Sequence, residues 1–276
     1  MNTDTKTGER DYVLGTHDAE IERLGLQHRV WRRNVLDVWQ RVGIDTGHTV
    51  IDLGAGPGYA TLDLAEVVGS SGKVIAVERS QRFIEILKQR AVQQNISNIT
   101  TVEADVVNDA IGNHQADYSW TRWLLCFVND PQAVLKKLHA SLKPGGIAVF
   151  HEYIDYGTYR LTPDVPAQTR FLEHVVSAWR KGGGEPNIAR QLPNMREQTG
   201  FEVVDYKPLV FVVSPKSPMW QWPVSFVEVN LKHLADTGQI SVETSNALLK
   251  EIMAAVNDDQ HLFVTPMVLE IVARKR

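Results

Sequence analysis

One cysteine, Cys126, stands in 276 residues, which excludes an internal disulfide framework and suits a reducing compartment. Long apolar runs are missing as well. No stretch approaches the roughly 18 residues of a transmembrane helix. The polar start (Asp4, Lys6, Glu9, Arg10) has no signal-peptide core, so a cytoplasmic location is expected. Positive charge is not in excess: 29 Lys and Arg face 33 Asp and Glu, for a net charge of −4, and no global field invites nucleic acid. His114, His139, His174, His233 and His261 lack the paired spacing of metal ligands, so no metal is expected. The G-x-S-x-G turn of a serine hydrolase is absent too. No internal repeat or low-complexity segment is present.

What the chain has is glycine in a particular arrangement. Thr49, Val50 and Ile51 read as the end of a buried strand, and Gly54-Ala-Gly56-Pro-Gly58 continues neither strand nor helix. From Tyr59 an amphipathic run (Leu62, Leu64, Ala65, Val68) begins a helix. Strand, glycine turn and helix in that order bring backbone close to a ligand and offer it free N–H groups. The dinucleotide fingerprint G-x-G-x-x-G/A is not met, because Tyr59 holds its sixth position. The pattern is instead D-x-G-x-G-x-G, from Asp52 to Gly58.

Further strands are expected at 73–78, 99–103, 116–120 and 147–150, separated by helical patterns and short turns, which predicts a parallel sheet with right-handed crossovers. An amphipathic pattern over 18–42 precedes them, with Gly25 expected to divide it into two helices. Beyond His151 the alternation stops. A helix near 171–179, a breaker at Gly182-Gly183-Gly184, strands at 201–213 and 262–273 and two helices between those strands are expected. The second strand of that pair is expected to bend at Pro266.

Glu78 ends the second strand, twenty residues after Gly58, where a nucleoside lying across a parallel sheet presents its ribose. Asp105 follows the third strand, and Asp52, Glu78 and Asp105 fall in register on successive strands. With the glycine pattern, this resembles the class I S-adenosylmethionine-dependent methyltransferases over roughly residues 50–153, and within them the bacterial small-molecule enzymes that include those of quinone biosynthesis. The resemblance implies a Rossmann-like α/β fold: seven strands, mostly parallel, the last antiparallel, with helices on both faces. It implies S-adenosylmethionine as cofactor, held by Asp52, Gly54, Gly56, Gly58, Glu78 with Arg79 beside it, Ala104, Asp105, Val106 and the segment at Arg122, with Tyr12 and Gln27 as lid residues.

The expected organisation is a helical lid over 1–43, a cofactor-binding core over 44–153, a helical connection over 154–200, and a C-terminal strand pair over 201–276 carrying a helical cap at 214–261. His151 and Glu152, at the end of the fifth strand, are the candidate bases. Alternation puts them on opposite faces, so only one can serve. Trp123, Tyr153, Trp179 and Trp220 are the candidate acceptor-binding residues, and rings of this kind suit a flat or lipophilic small molecule. Two alternatives stand beside this reading, an NAD-linked oxidoreductase and a SAM-binding regulatory protein without catalysis. A homodimer is left open.

Overall fold

The computed structural model describes residues 18–276. Tyr12 lies outside the described residues. Asp18–Val42 form a single 25-residue helix, α1. It buries Ile21, Trp31, Val35, Val38 and Trp39 on one side, the spacing that makes a helix lie on a core. Gly25 does not break it. A Cβ there would stand 2.6 Å from the Tyr59 hydroxyl, so this glycine permits a close approach. That hydroxyl donates to the Ile21 carbonyl at 3.0 Å.

Strand β1 (Thr49–Leu53) leads into the glycine turn and α2 (Tyr59–Val68). Then follow β2 (Lys73–Glu78), α3 (Gln81–Gln93), β3 (Ile99–Glu103), β4 (Ala116–Arg122), α4 (Pro131–Ser141) and β5 (Leu142–Asp155). Ser80 caps α3 by accepting from Phe83 N–H. Asp130 caps α4 by accepting from Ala133 N–H, ahead of Pro131. β5 runs to 14 residues, well beyond 147–150, because β4 pairs along one side and a C-terminal strand along the other.

Past β5 come β6 (Arg160–Thr162), α5 (Pro166–Lys181), α6 (Met195–Thr199), β7 (Phe201–Leu209), β8 (Val212–Val213), α7 (Gln221–Asp236), α8 (Val242–Val256), β9 (Leu262–Val264) and β10 (Met267–Lys275). The main sheet has seven strands in the order β3-β2-β1-β4-β5-β10-β7. The first five are parallel, and β10 is antiparallel to both neighbours. The antiparallel strand is therefore one in from the edge, and β7 is the edge strand. Each of the two expected C-terminal strands is divided in two, at Pro266 and at 210–211. The separated ends join β6 in a second sheet, β6-β9-β8. Helix α7 packs on α1, α5 and α8, over the carboxyl ends of β4 and β5. No helix among the described residues is long and apolar enough to cross a membrane.

Candidate functional site

A cleft of about 300 Å³ runs along the carboxyl ends of β1, β2, β3 and β4. The glycine turn makes its floor. Gly54 and Ala55 donate to the Val77 carbonyl at 2.9 and 3.1 Å, and Gly56 N–H donates to Glu78 Oε2 at 2.9 Å. A Cβ on Gly56 would meet nothing within 4 Å, so the backbone is bare toward the cleft. Gly58 is different. It does not line the cleft, and a Cβ there would come within 2.3 Å of Leu87 on α3. Its φ of +85° starts α2. Gly58 packs against α3 and is not among the residues that line the cleft.

Glu78 lines the cleft and organises the turn beneath it. Its Oε1 accepts from the N–H groups of Arg79 and Ser80, both at 2.9 Å. Burial raises its pKa, and the three backbone donors work against that rise. Arg79, Ala104, Asp105 and Val106 line the same cleft. The Asp105 carboxylate is engaged within its own loop, accepting from Val107 and Asn108 N–H and from the Asn108 side chain. Burial acts to raise its pKa, but these bonds prevail and hold it below the usual carboxyl range.

Under α1 the cleft is lined by Gln27, Asp52, Trp120 and Arg122. Gln27 Oε1 accepts from Arg23 and from Trp222 Nε1, tying α1 to α7. Asp52 is 3% exposed, and its Oδ2 accepts from the Thr61 hydroxyl at 2.6 Å. Burial pushes its pKa up to about 6 despite Thr61 and Arg122. Arg122 is brought down to about 10 by burial, with Asp52 opposing. Its Nη1 is buried and has no hydrogen-bond partner. An open glycine backbone, a carboxylate at Glu78 whose Oε2 accepts from Gly56 N–H and keeps further acceptor capacity, and an orphaned guanidinium nitrogen fit a ligand bearing hydroxyls and an anionic group, as S-adenosylmethionine does.

The rings gather beyond Arg122. Trp123, held at φ +49°, stacks on Tyr153 and Trp222 at 5.4 and 5.6 Å and meets Trp31 edge-on. Of the expected acceptor residues only Trp123 reaches the cleft, with Leu124 and Phe127 beside it. Tyr153 lies behind Trp123. Trp179 packs edge-on to Phe127 at 4.7 Å, and Trp220 packs against Phe263 at 4.8 Å.

The candidate bases do not face the cleft. His151 is fully buried, with Nε2 on Glu270 Oε2 at 2.9 Å and Trp120 packed at 4.8 Å. Arg41 reaches the other Glu270 oxygen. Burial depresses the His151 pKa against the pull of Glu270. Glu152, on the opposite face, is fully buried too. Its Oε1 accepts from Leu124 and Leu125 N–H at 2.9 and 2.8 Å, anchoring the turn after β4. Both residues hold strands and loops together, and neither is presented to an acceptor. No cluster of possible metal ligands occurs among the described residues.

Sequence reasoning missed His28 and Asp63. His28 Nδ1 lies 3.2 Å from Arg122 Nη2, and its Nε2 lies 3.0 Å from Asp63 Oδ2. These partners are 94 and 35 positions away, so no spacing announces them.

Residues 50–146 match the family described as a methyltransferase domain. A demethylmenaquinone methyltransferase of Staphylococcus epidermidis is 32% identical over 123 residues, 45% of this chain and 49% of that protein. A 2-phytyl-1,4-naphtoquinone methyltransferase of Nostoc sp. is 36% identical over 145 residues, 52% and 62% of the two chains. The chain spans about half the length of the first curated relatives it matches. Among solved structures, coclaurine N-methyltransferase superposes with a TM-score of 0.56 at 19% identity, covering 88% of this chain and 72% of that one. The cyclase SpnF gives 0.56 at 18%, covering 88% and 80%. At such identity the likeness is one of fold. Residues 50–146 are thus similar to a methyltransferase domain, and the sheet order and the glycine turn accord with that match.

Proposed function

We propose that this protein moves the sulfonium methyl of S-adenosylmethionine to a small, flat, largely apolar metabolite. The observation that carries the reading is the cleft itself. Polar groups for a nucleoside stand over β2 and β3, and an aromatic wall of Trp123 and Phe127 stands at its far end. When bound, the cofactor supplies an electrophilic methyl on a positive sulfur. The chain's task is then to align the acceptor with it, and alignment alone lowers barriers by roughly 7–11 kcal/mol. With His151 and Glu152 turned away, the mechanism rests on positioning and on exclusion of water by the rings rather than on a dedicated base. The quinone rings in the names of the two relatives suit such a wall, and a quinone-like ring is the acceptor class proposed here.

In this reading α1, with Gln27 over the cleft, is the lid, and α7 and α8 within 214–261 form the cap. The segment 214–261 carries Lys216, Lys232 and Lys250 against Glu228, Asp236, Glu243, Glu251, Asp258 and Asp259, a balance that repels a polyanion. The test is a methyl-transfer assay with labelled cofactor across naphthoquinol-type compounds, other small metabolites, proteins and RNA. Transfer to a ring compound supports the proposal. Salt-sensitive transfer to RNA or protein, with none to small molecules, refutes it. Fold alone does not decide the reaction, as the cyclase among the structural neighbours illustrates.

A further inference from the structure

We infer that Lys137, on α4 and outside the cleft, is a positioning residue that locks the loop after β3 and so sets which base edge the cofactor site accepts. The inference rests on the cofactor reading above and deepens it. Residues 104–115 join β3 to β4 without helix or strand, and Ala104, Asp105, Val106, Val107 and Asn108 line the cleft. A long connection of that kind has no ladder of its own to fix its peptide planes. Helix α4 supplies the anchor. Val134, Leu135 and Leu138 bury one side of it, and Lys137 beside them sends Nζ to three backbone oxygens. It donates to the carbonyls of Val106 at 3.2 Å, Val107 at 2.6 Å and Asp109 at 2.7 Å. An ammonium has three N–H donors, and here each has a carbonyl.

The same peptide planes are held at their other pole. Asp105 Oδ1 accepts from the N–H of Val107 at 2.9 Å and of Asn108 at 3.3 Å. The planes joining 106 to 107 and 107 to 108 therefore have a carboxylate at their N–H ends and an ammonium at their carbonyl ends. Both charges suit the peptide dipoles. Turning either plane over would bring a carbonyl to the carboxylate and an N–H to the ammonium. The plane joining Asp105 to Val106 is fixed at its oxygen, which accepts from Asn108 and Asp109 N–H at 3.1 and 2.8 Å. Its own N–H, that of Val106, makes no hydrogen bond among the described residues.

The lock decides what the loop can offer a ligand. The carbonyls of Asp105, Val106, Val107 and Asp109 are all engaged, and the Val106 N–H is left to donate. A base edge laid against this backbone must accept. A 6-aminopurine does so through an unprotonated ring nitrogen, whereas a 6-oxopurine carries a proton on that nitrogen and sets donor against donor. Without Lys137 the planes after Val106 can turn, a carbonyl can meet the base, and the preference weakens.

The test is calorimetric, with S-adenosylhomocysteine and its 6-oxo analogue, S-inosylhomocysteine. The wild-type protein should bind the analogue at least ~10-fold more weakly. Lys137→Met should weaken S-adenosylhomocysteine roughly 10-fold and the analogue less than about threefold, so that the preference falls. Lys137→Arg keeps the charge but spreads its donors in a plane, so it should fall between the two and is read alone where Lys137→Met does not fold. Equal wild-type affinity for the two compounds overturns the inference without any variant. So does a folded Lys137 variant that weakens both by the same factor, the mark of a merely structural role, or one that leaves both affinities unchanged. A wild-type protein that binds neither compound refutes the cofactor reading itself, a result distinct from these.

Discussion

At the β2–β3 end of the cleft the chain offers oxygens and backbone donors on short loops, whereas at the β4–β5 end its wall is built of rings. Glu78 and Asp105 each accept two or more backbone N–H bonds. Trp31, Trp123, Tyr153 and Trp222 are each under a tenth exposed and hold one another by stacked and edge-on contacts. The first end selects by hydrogen-bond geometry, and a wrong hydroxyl there strands a buried partner. The second selects by shape and water exclusion, where energy follows buried area. The proposed methyl transfer has use for both, since it pairs a fixed nucleoside with an acceptor proposed to be an apolar ring.

If that contrast holds, removing a ring should cost stability before it costs cofactor affinity. Trp222→Ala deletes the stack on Trp123, the edge contact with Trp31 and the bond to Gln27. A loss of roughly 3–5 kcal/mol is expected in equilibrium urea unfolding, with S-adenosylhomocysteine affinity changing less than about threefold. A collapse of cofactor affinity with stability intact would show the rings serving the nucleoside end.

Acidity sharpens the same contrast. Burial pushes Glu152 from 4.5 up to about 7, against the Leu125 and Leu124 N–H bonds. The folded state then binds this proton more tightly than the unfolded chain. Stability contributed by the protonated carboxyl is present at low pH and lost as pH rises from about 4.5 through 7, by roughly 3 kcal/mol. Asp52, pushed up to about 6 chiefly by burial, adds a smaller loss of the same sign. Glu152→Gln keeps an oxygen for both backbone donors and should flatten that slope. An unchanged slope in unfolding curves between pH 4.5 and 7.5 would mean the buried carboxyl is not its source.

At the polar end, Glu78→Ala removes the expected ribose acceptor and the anchor for Gly56 N–H at once. S-adenosylhomocysteine should bind roughly 10- to 100-fold more weakly by calorimetry, with Glu78→Gln between the two. Affinity unchanged in a folded Glu78→Ala protein would remove Glu78 from the site.

What was legible in the sequence follows the same division. The glycine turn and Glu78 are contiguous with the strands that carry them, so spacing encodes their geometry. The packing role of Gly58 was not legible, because a glycine facing Leu87 and one facing a ligand look alike until α3 is in place. For His151 and Glu152, alternation gave the right faces but not their depth, which β10 and the turn after β4 determine. Gly25 read as a break because the hydroxyl of Tyr59, 34 positions on, was not visible from α1. The Arg122–His28–Asp63 chain joins three elements, and only the sheet order brings them together.

The smallest effect is expected at Asp105. Its Oδ1 accepts from Val107 N–H at 2.9 Å and Asn108 N–H at 3.3 Å, and its Oδ2 accepts from Asn108 Nδ2 at 3.0 Å. Asp105→Asn retains an oxygen for the turn. Its new amide opposes the Asn108 amide, which can rotate its own oxygen inward. What is lost is the charge-assisted part of each bond, under about 1 kcal/mol, so S-adenosylhomocysteine should weaken by no more than about fivefold. Asp105→Ala, which frees the turn beside Ala104 and Val106, should cost more than Asp105→Asn and less than Glu78→Ala. Calorimetry on the three variants fixes the order. If Asp105→Asn in a folded protein exceeds Glu78→Ala, the adenine does not lie over β3, and the nucleoside must enter the cleft the other way round.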